Sequence, residues 1–166
     1  MRRKYWAALL PLLLLGMACQ PAEEPAEPAP AATTSTEADD EALRELSRQG
    51  VAEFNAGNLD GLMALYADDA VHMPPNNPII IGKDSLRSGF EEFLAANTSE
   101  LSSTVEDIGV SGDWAFLRLS YTQSITPKDG GDTTQEVGKW VLILERQADD
   151  SWRITTEIWN ADAASN

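Results

Sequence analysis

Hydrophobic residues in the first half of the folded region recur every three or four positions, which is the spacing of one helix face. Leu43, Leu46, Gly50 and Phe54 follow this spacing and predict a first helix that begins near Glu37. We expect this helix to end at the Ala-Gly-Asn sequence that follows, since glycine and asparagine are typical of helix ends.

Shorter elements follow, and their boundaries are set by proline, glycine and capping residues. The first is a short helix that is capped by Asn58 and runs through Leu62, Met63 and Tyr66. A strand at 70–73, a Pro/Asn turn at 74–78 and an extended piece at 79–81 come next. A third helix then follows, marked by Leu86, Phe90, Phe93 and Leu94. The first half is therefore predicted to contain three helices.

The second half of the chain changes to a two-residue period, which is typical of strands with one buried face. Four strands are predicted, at 101–110, 114–125, 135–147 and 152–160. In the second of them Ala115, Leu117, Leu119 and Tyr121 face one way. Three helices followed by a four-stranded meander predict an α+β domain, in which a twisted antiparallel sheet curls over the first helix and leaves a cone-shaped cavity.

Three stretches carry a resemblance to a known superfamily. They are Gly-Asn-Leu-Asp at 57–60, the segment 66–82 from Tyr-Ala-Asp-Asp-Ala through a Pro/Asn turn to glycine, and the final Trp-Arg-Ile…Ile-Trp-Asn at 152–160. In this order they resemble the nuclear transport factor 2-like superfamily, in its SnoaL-like, ketosteroid-isomerase-like branch, over about residues 40–162. The resemblance implies a cone-shaped (cystatin-like) α+β domain with three N-terminal helices packed on a curved, mostly antiparallel sheet around a pocket. It implies no particular reaction.

The isomerase branch of that superfamily uses a carboxylate base, a phenol on the first helix and a protonated acid on a strand. On this pattern the base position holds Pro74, the phenol position holds Gly50, and the strand at 139–144 contains no aspartate or glutamate. An oxyanion site of the isomerase kind is therefore not implied.

His72 and Glu157 are the candidate acid/base residues. His72 is the only histidine of the chain, imidazole titrates near neutral pH, and position 72 shares a strand face with the pocket-facing position 74. The alternative is a histidine packed between sheet and helix with one hydrogen bond. Glu157 shares a face with Trp159, and a glutamate buried in an aromatic wall can act as an acid or base. Alternatively, Glu157 faces solvent or a subunit interface.

Six side chains are expected to line the cavity and contact a ligand, although aromatic residues in a sheet are more often plain core. They are Phe54, Tyr66, His72, Tyr121, Trp140 and Trp159. We expect no cofactor and no metal site, because the chain has one histidine and one cysteine and lacks a phosphate-binding glycine loop.

Charge excludes one class of partner. The formal net charge is −15, and Arg2, Arg3 and Lys4 belong to a predicted export signal without acidic residues. Removing residues 1–18 leaves 9 of the 12 basic residues against 27 acidic ones, or −18. Such a surface repels phosphate, so we expect no nucleic-acid partner.

The N-terminal residues have the form of a signal peptide at 1–18, with a basic start and an apolar run that stops at a small-residue site. Cys19 then resembles the lipid-modified cysteine of bacterial lipoproteins, although Gly16 stands where those proteins usually have leucine. Lipidation implies a cell-envelope protein on the periplasmic face, in the outer membrane by analogy because Gln20 follows. The alternative is cleavage after Ala18 and a soluble secreted protein.

The remaining boundaries follow from composition. Residues 19–36 comprise the lipidated cysteine and a Pro/Ala/Glu tether without large apolar residues, which predicts disorder. Residues 37–162 form the predicted SnoaL-like domain, and 163–166 form a tail. The membrane would be contacted through the Cys19 lipid only.

Two functions remain open. The first, which we expect, is a binding or assembly module that holds a small apolar ligand or pairs through its sheet. A homodimer is expected, because one small core cannot hold all of the large apolar side chains Trp114, Phe116, Trp140, Leu142 and Trp152. The second is a SnoaL-like enzyme of isomerase, cyclase or hydratase type, acting on an apolar carbonyl compound with His72 or Glu157 as acid/base.

Overall fold

The structure is a computed structural model, and it describes residues 36–162. The predicted signal peptide, Cys19, nearly all of the tether and the tail at 163–166 lie outside the described residues. Within residues 36–162, every helix is too short or too polar to cross a membrane.

Three helices and six strands make up the described part of the chain. In order they are α1 (Glu37–Ala56), α2 (Leu59–Met63), β1 (Tyr66–Met73), β2 (Ile80–Ile81), α3 (Lys83–Ala96), β3 (Asn97–Ser111), β4 (Trp114–Pro127), β5 (Thr134–Arg146) and β6 (Trp152–Ala161). The strands form one sheet in the order β2-β1-β6-β5-β4-β3. All neighbours are antiparallel except β1 and β6, which run parallel. The predicted α+β class is confirmed.

The helix ends follow local sequence signals. Thr36 caps α1 by accepting a hydrogen bond from the Asp39 backbone N–H, and Gly57 ends it in the left-handed conformation with φ of 65°. Asn58 caps α2, as predicted, by accepting from the Gly61 N–H. These caps satisfy backbone groups that would otherwise lack a partner at each helix end.

The first strand begins earlier than its sequence pattern predicts. Tyr66, expected to close the second helix, is the first residue of β1 and pairs with Ile154 of β6. The register then shifts before Val71, and the irregular stretch exposes Asp68 and Asp69. Two adjacent exposed aspartates and a bulge interrupt the alternation of buried and exposed residues here. The two-residue period therefore does not reveal that the strand begins at Tyr66.

The first helix is attached to the sheet at both of its own ends. The Asn55 side chain exchanges two hydrogen bonds of 2.8 Å with the backbone N–H and C=O of Leu101. At the other end Arg146 pairs with Asp39 at 2.5 Å and lies 4.3 Å from the ring centre of Trp152. These contacts hold α1 against the sheet and leave a space between them.

The two faces of the sheet differ in what covers them. Ala115, Leu117, Leu119 and Tyr121 are all buried on the inner face, as predicted. Leu142 and Trp152 belong to the same core and Trp140 packs against it, whereas Trp114 and Phe116 do not, so the five residues do not all fit one core. On the outer face the large apolar residues stay exposed: Trp114, Phe116, Val137, Ile143 and Ile158.

Candidate functional site

A cavity of about 680 Å³ lies between the helices and the inner face of the sheet. Its wall is mostly apolar, and all three helices and all six strands contribute residues to it. The six side chains that the sequence suggested as pocket residues all line it: Phe54, Tyr66, His72, Tyr121, Trp140 and Trp159. This size and lining are typical of sites for small organic molecules.

The parallel pairing of β1 with β6 brings the two acid/base candidates together. His72 and Glu157 are direct neighbours in the register of these strands. The His72 Nδ1 atom lies 2.8 Å from the Glu157 Oε2 atom. The two residues are 85 positions apart in the chain, so only the sheet topology joins them.

Tyr66 completes a hydrogen-bonded cluster. Its hydroxyl group donates to the same Glu157 Oε2 atom at 2.6 Å. The exposed fractions are 3 % for Tyr66, 6 % for His72 and 4 % for Glu157, so the cluster is shielded from bulk water. A carboxylate buried this far is tolerated when it is hydrogen-bonded, and here one oxygen accepts two hydrogen bonds.

The protonation pattern of the cluster follows from its geometry. Burial, together with the adjacent Glu157 carboxylate, raises the pKa of Tyr66 well above its usual value, so the phenol remains a donor. Glu157 Oε2 already accepts from Tyr66, and the hydrogen-bond pattern assigns the His72 proton to Nδ1, which faces the same oxygen. In a neutral ring the Nε2 atom is then an acceptor, and it makes no hydrogen bond to another described residue.

Aromatic rings hold the imidazole in place. The ring centre of His72 lies 4.7 Å from that of Trp159 and 5.6 Å from that of Phe90, which meets it edge-on. Phe90 was not among the predicted site residues, although its helical spacing placed it on the buried face of α3. These rings restrict the imidazole to one orientation and lower the local polarity.

Other positions named from the resemblance do not join the cluster. Gly50 and Pro74 line the cavity without a functional side chain. Asp68 is exposed and pairs with Lys83 at 2.8 Å, and Asp69 is exposed as well. The role of Tyr66 as a donor to Glu157 had no sequence signal, because it depends on the parallel pairing of two distant strands.

A second polar group lines the same cavity from β4 and β5. The Tyr121 hydroxyl donates to Glu136 Oε1 at 2.5 Å, and Gln123 donates to the Ser99 hydroxyl at 2.8 Å.

Within residues 36–162, there is no cluster of three or more histidine, cysteine, aspartate or glutamate side chains arranged to hold a metal ion.

The fold and the lined cavity define a domain of the nuclear transport factor 2-like kind. Residues 48–154, more than half of the chain, match the family model of the SnoaL-like domain. This chain belongs to that family, and the predicted superfamily and branch are confirmed. No curated protein sequence matches the chain significantly.

Solved structures give the same fold. A ketosteroid isomerase-like protein from Erwinia carotovora atroseptica SCRI1043 superposes with a TM-score of 0.72 at 22% identity, covering 77% of this chain and 99% of that one. A nuclear transport factor 2-like superfamily protein from Salmonella enterica serovar Typhimurium gives 0.70 at 13% identity, covering 80% and 96%. A protein with a cystatin-like fold from Nostoc punctiforme gives 0.67 at 16%, covering 80% and 97%. At these identities the likeness concerns the fold alone.

Proposed function

We propose that this domain is an enzyme that moves a proton on a largely apolar carbonyl compound, with His72 as the general base. Of the two functions left open by the sequence, the geometry favours the second. The observation that carries the proposal is the arrangement of His72 in the cavity wall. Its Nδ1 atom is held by the buried Glu157 carboxylate, and its Nε2 atom makes no hydrogen bond to another described residue. A module that only retains an apolar ligand needs no such pair.

Each member of the cluster has a separate role in this mechanism. His72 Nε2 accepts a proton from the carbon beside the substrate carbonyl, and the electron pair of the broken C–H bond moves toward the carbonyl oxygen. Glu157 holds the imidazole in the required tautomer and stabilises the imidazolium ion that forms. Tyr66 fixes the carboxylate through its 2.6 Å hydrogen bond. Return of the proton to another atom completes an isomerisation without any redox partner.

Burial supports the use of this pair in catalysis. Because both side chains are buried, the interaction between imidazolium and carboxylate is stronger than at the surface. General acid/base catalysis of this type contributes about 10² to 10⁴ in rate. The apolar remainder of the wall would bind the apolar part of the substrate through the hydrophobic effect, which contributes roughly 25 cal/mol per Å² of apolar surface buried.

Deuterium exchange tests the proposal before the natural substrate is known. The purified protein is incubated in D₂O with a panel of cyclic and aryl ketones, and exchange of the hydrogens beside each carbonyl is followed by NMR. We expect accelerated exchange for at least one ketone, and a loss of about 10²-fold in His72→Gln. Asp69→Asn is the matched control, because Asp69 is exposed and does not line the cavity.

Binding without exchange would restore the first function. Ligand binding is measured in parallel by calorimetry with the same ketones. If a ketone binds to wild type and to His72→Gln equally well, and neither protein accelerates exchange, the domain is a binding module. Equal acceleration by both proteins would remove His72 from the mechanism.

We further propose that the domain works at the bacterial cell envelope, held by a lipid on Cys19. The support is the sequence alone, namely the apolar run followed by a small-residue site and a single cysteine. Cys19→Ser should move the protein from the membrane fraction to the soluble fraction. A wild-type protein that is already soluble, or that carries no acyl mass, would contradict this proposal.

A further inference from the structure

The polar group on β4 and β5 contains a carboxylate, that of Glu136, which no basic side chain among residues 36–162 neutralises. Glu136 lines the cavity and accepts from the Tyr121 hydroxyl through Oε1, yet it makes no ion pair with a lysine or arginine among residues 36–162. The two lysines of neighbouring segments are engaged elsewhere, Lys139 with Asp162 and Lys128 with the Leu94 carbonyl. A carboxylate thus faces a mostly apolar cavity without a cation from the chain.

Glu136 is remote from the His72–Glu157 pair along the sheet. Leu142 is the direct cross-strand neighbour of Glu157, and Glu136 lies six positions before Leu142 on β5. At about 3.3 Å per residue along a strand, this separation is roughly 20 Å. The cavity therefore has a catalytic end at Glu157 and a second polar end at Glu136, and a ligand touching both must be long.

Tyr121 is held firmly at the second end. Gly138 is its cross-strand partner, and a Cβ atom at position 138 would lie 2.7 Å from the Tyr121 ring, so only glycine leaves room for the ring there. The Trp140 ring meets Tyr121 at a right angle with 6.2 Å between centres. Burial, then the hydrogen bond to Glu136, raises the pKa of Tyr121 above its usual range, so its hydroxyl remains a donor to that carboxylate.

A carboxylate that is hydrogen-bonded to a phenol in a mostly apolar wall matches a positively charged amine better than other head groups. An ammonium group donates a charge-assisted hydrogen bond to the carboxylate and is also attracted to aromatic rings nearby. A hydroxyl group gains only the hydrogen bond, and an anion is repelled. The net charge of −15 raises the local concentration of cations as well.

We propose that the ligand is a long, largely apolar molecule with an ammonium group at the end away from His72, bound by Glu136 beside Tyr121. The inference rests on the proposed function only for the place of the reacting carbonyl at the His72 end. The recognition of the ammonium group is independent of any reaction, so it can be tested by binding alone.

Three probes with the same ten-carbon chain separate the head groups: n-decylammonium, n-decanol and n-decanoate. Their affinities for the purified protein are measured by calorimetry below the concentrations at which they form micelles. We expect decylammonium to bind about tenfold tighter than decanol, and decanoate to bind weakest. Glu136→Gln should remove most of the preference for decylammonium while leaving decanol binding nearly unchanged.

Glu106→Gln is the matched control, because it removes the same charge from an exposed site on the outer face. Tyr121→Phe is a second variant that keeps the ring and frees Glu136 from its hydrogen bond, and it should retain the preference for the amine. The inference is overturned if decylammonium binds no tighter than decanol, if Glu106→Gln lowers the preference as much as Glu136→Gln, or if no probe binds.

The two proposals fail in different experiments. In His72→Gln the ketone exchange should fall while the preference for decylammonium stays intact, because Glu136 is unchanged. Loss of exchange activity with an intact amine preference supports both proposals. An intact exchange activity in Glu136→Gln, combined with an unchanged amine preference in that variant, would overturn the inference and leave the role of His72 standing.

Discussion

Both faces of the sheet carry large apolar side chains, but the two faces meet different surroundings. The inner face packs against three helices and encloses the cavity, with Trp152 only 4 % exposed. The outer face has no covering element among residues 36–162, and Trp114 and Phe116 are 50 % and 41 % exposed. Alternation along a strand therefore shows which residues share a face, whereas the helices decide which face becomes the core and the site.

This difference also separates two kinds of polar residue. On the inner face Glu157 and His72 are buried, and one carboxylate oxygen of Glu157 is hydrogen-bonded to both His72 Nδ1 and Tyr66. On the outer face Arg118 pairs with Asp107 at 3.6 Å in an exposed position. An inner polar residue must be compensated and is thus a candidate for chemistry, while an outer ion pair contributes little.

The largest expected effect compares one tryptophan from each face. Trp152→Ala should lower the free energy of unfolding by about 3–5 kcal/mol, because it empties a packed core position. Trp114→Ala should lower it by less than about 1 kcal/mol, since half of that side chain is already in water. Urea denaturation of both variants measures the difference, and equal losses would contradict the assignment of the faces.

The next effect concerns the inner polar cluster. Glu157→Gln should reduce ketone exchange by about 10²-fold, close to 2.7 kcal/mol, because the amide no longer fixes the His72 tautomer. Ligand affinity should change little, as the size of the side chain is kept. A loss in affinity that matches the loss in exchange would instead give Glu157 a role in binding.

A smaller effect is expected on the outer face. We propose that a second copy of the chain covers it, as the exposed apolar residues are flanked by both signs of charge, Arg118 and Lys139 beside Glu106 and Glu145. Phe116→Glu should weaken this homodimer by about 2 kcal/mol, the scale of a well-placed interface residue. Light scattering at tens of micromolar should show a dimer in wild type. A wild-type monomer there would contradict the proposal.

The smallest effect depends on pH and lies where α1 meets the sheet. The hydrogen bond from Arg146 holds the pKa of Asp39 below its usual value. The ion pair therefore contributes stability at neutral pH, and this contribution is lost as pH falls through the lowered pKa. Asp39→Asn should destabilise by about 1–2 kcal/mol at pH 7. The gap to wild type should begin to narrow below about pH 4 and close once the pH lies below the lowered pKa of Asp39, as thermal melts against the control Asp69→Asn would measure.

Several features were predictable because their causes are local. The helix that starts near Glu37, the cap at Asn58 and the inward side chains of β4 follow from spacing and capping chemistry within a few residues. The six cavity-lining side chains could be predicted for a similar reason, since each of them lies on the buried face of its own helix or strand. The same spacing marks Phe90 as a residue of the third helix, but it does not place Phe90 beside His72.

The sequence by itself determined which residues lie on one face of each helix or strand, because that depends on a period of 3.6 or 2 residues. It also determined that His72 is the one imidazole available. Only the tertiary structure decided that β1 begins at Tyr66 and runs parallel to β6. That pairing joins Glu157 to residues 85 and 91 positions away, and it reflects the packing of the whole sheet on the helices rather than any local pattern.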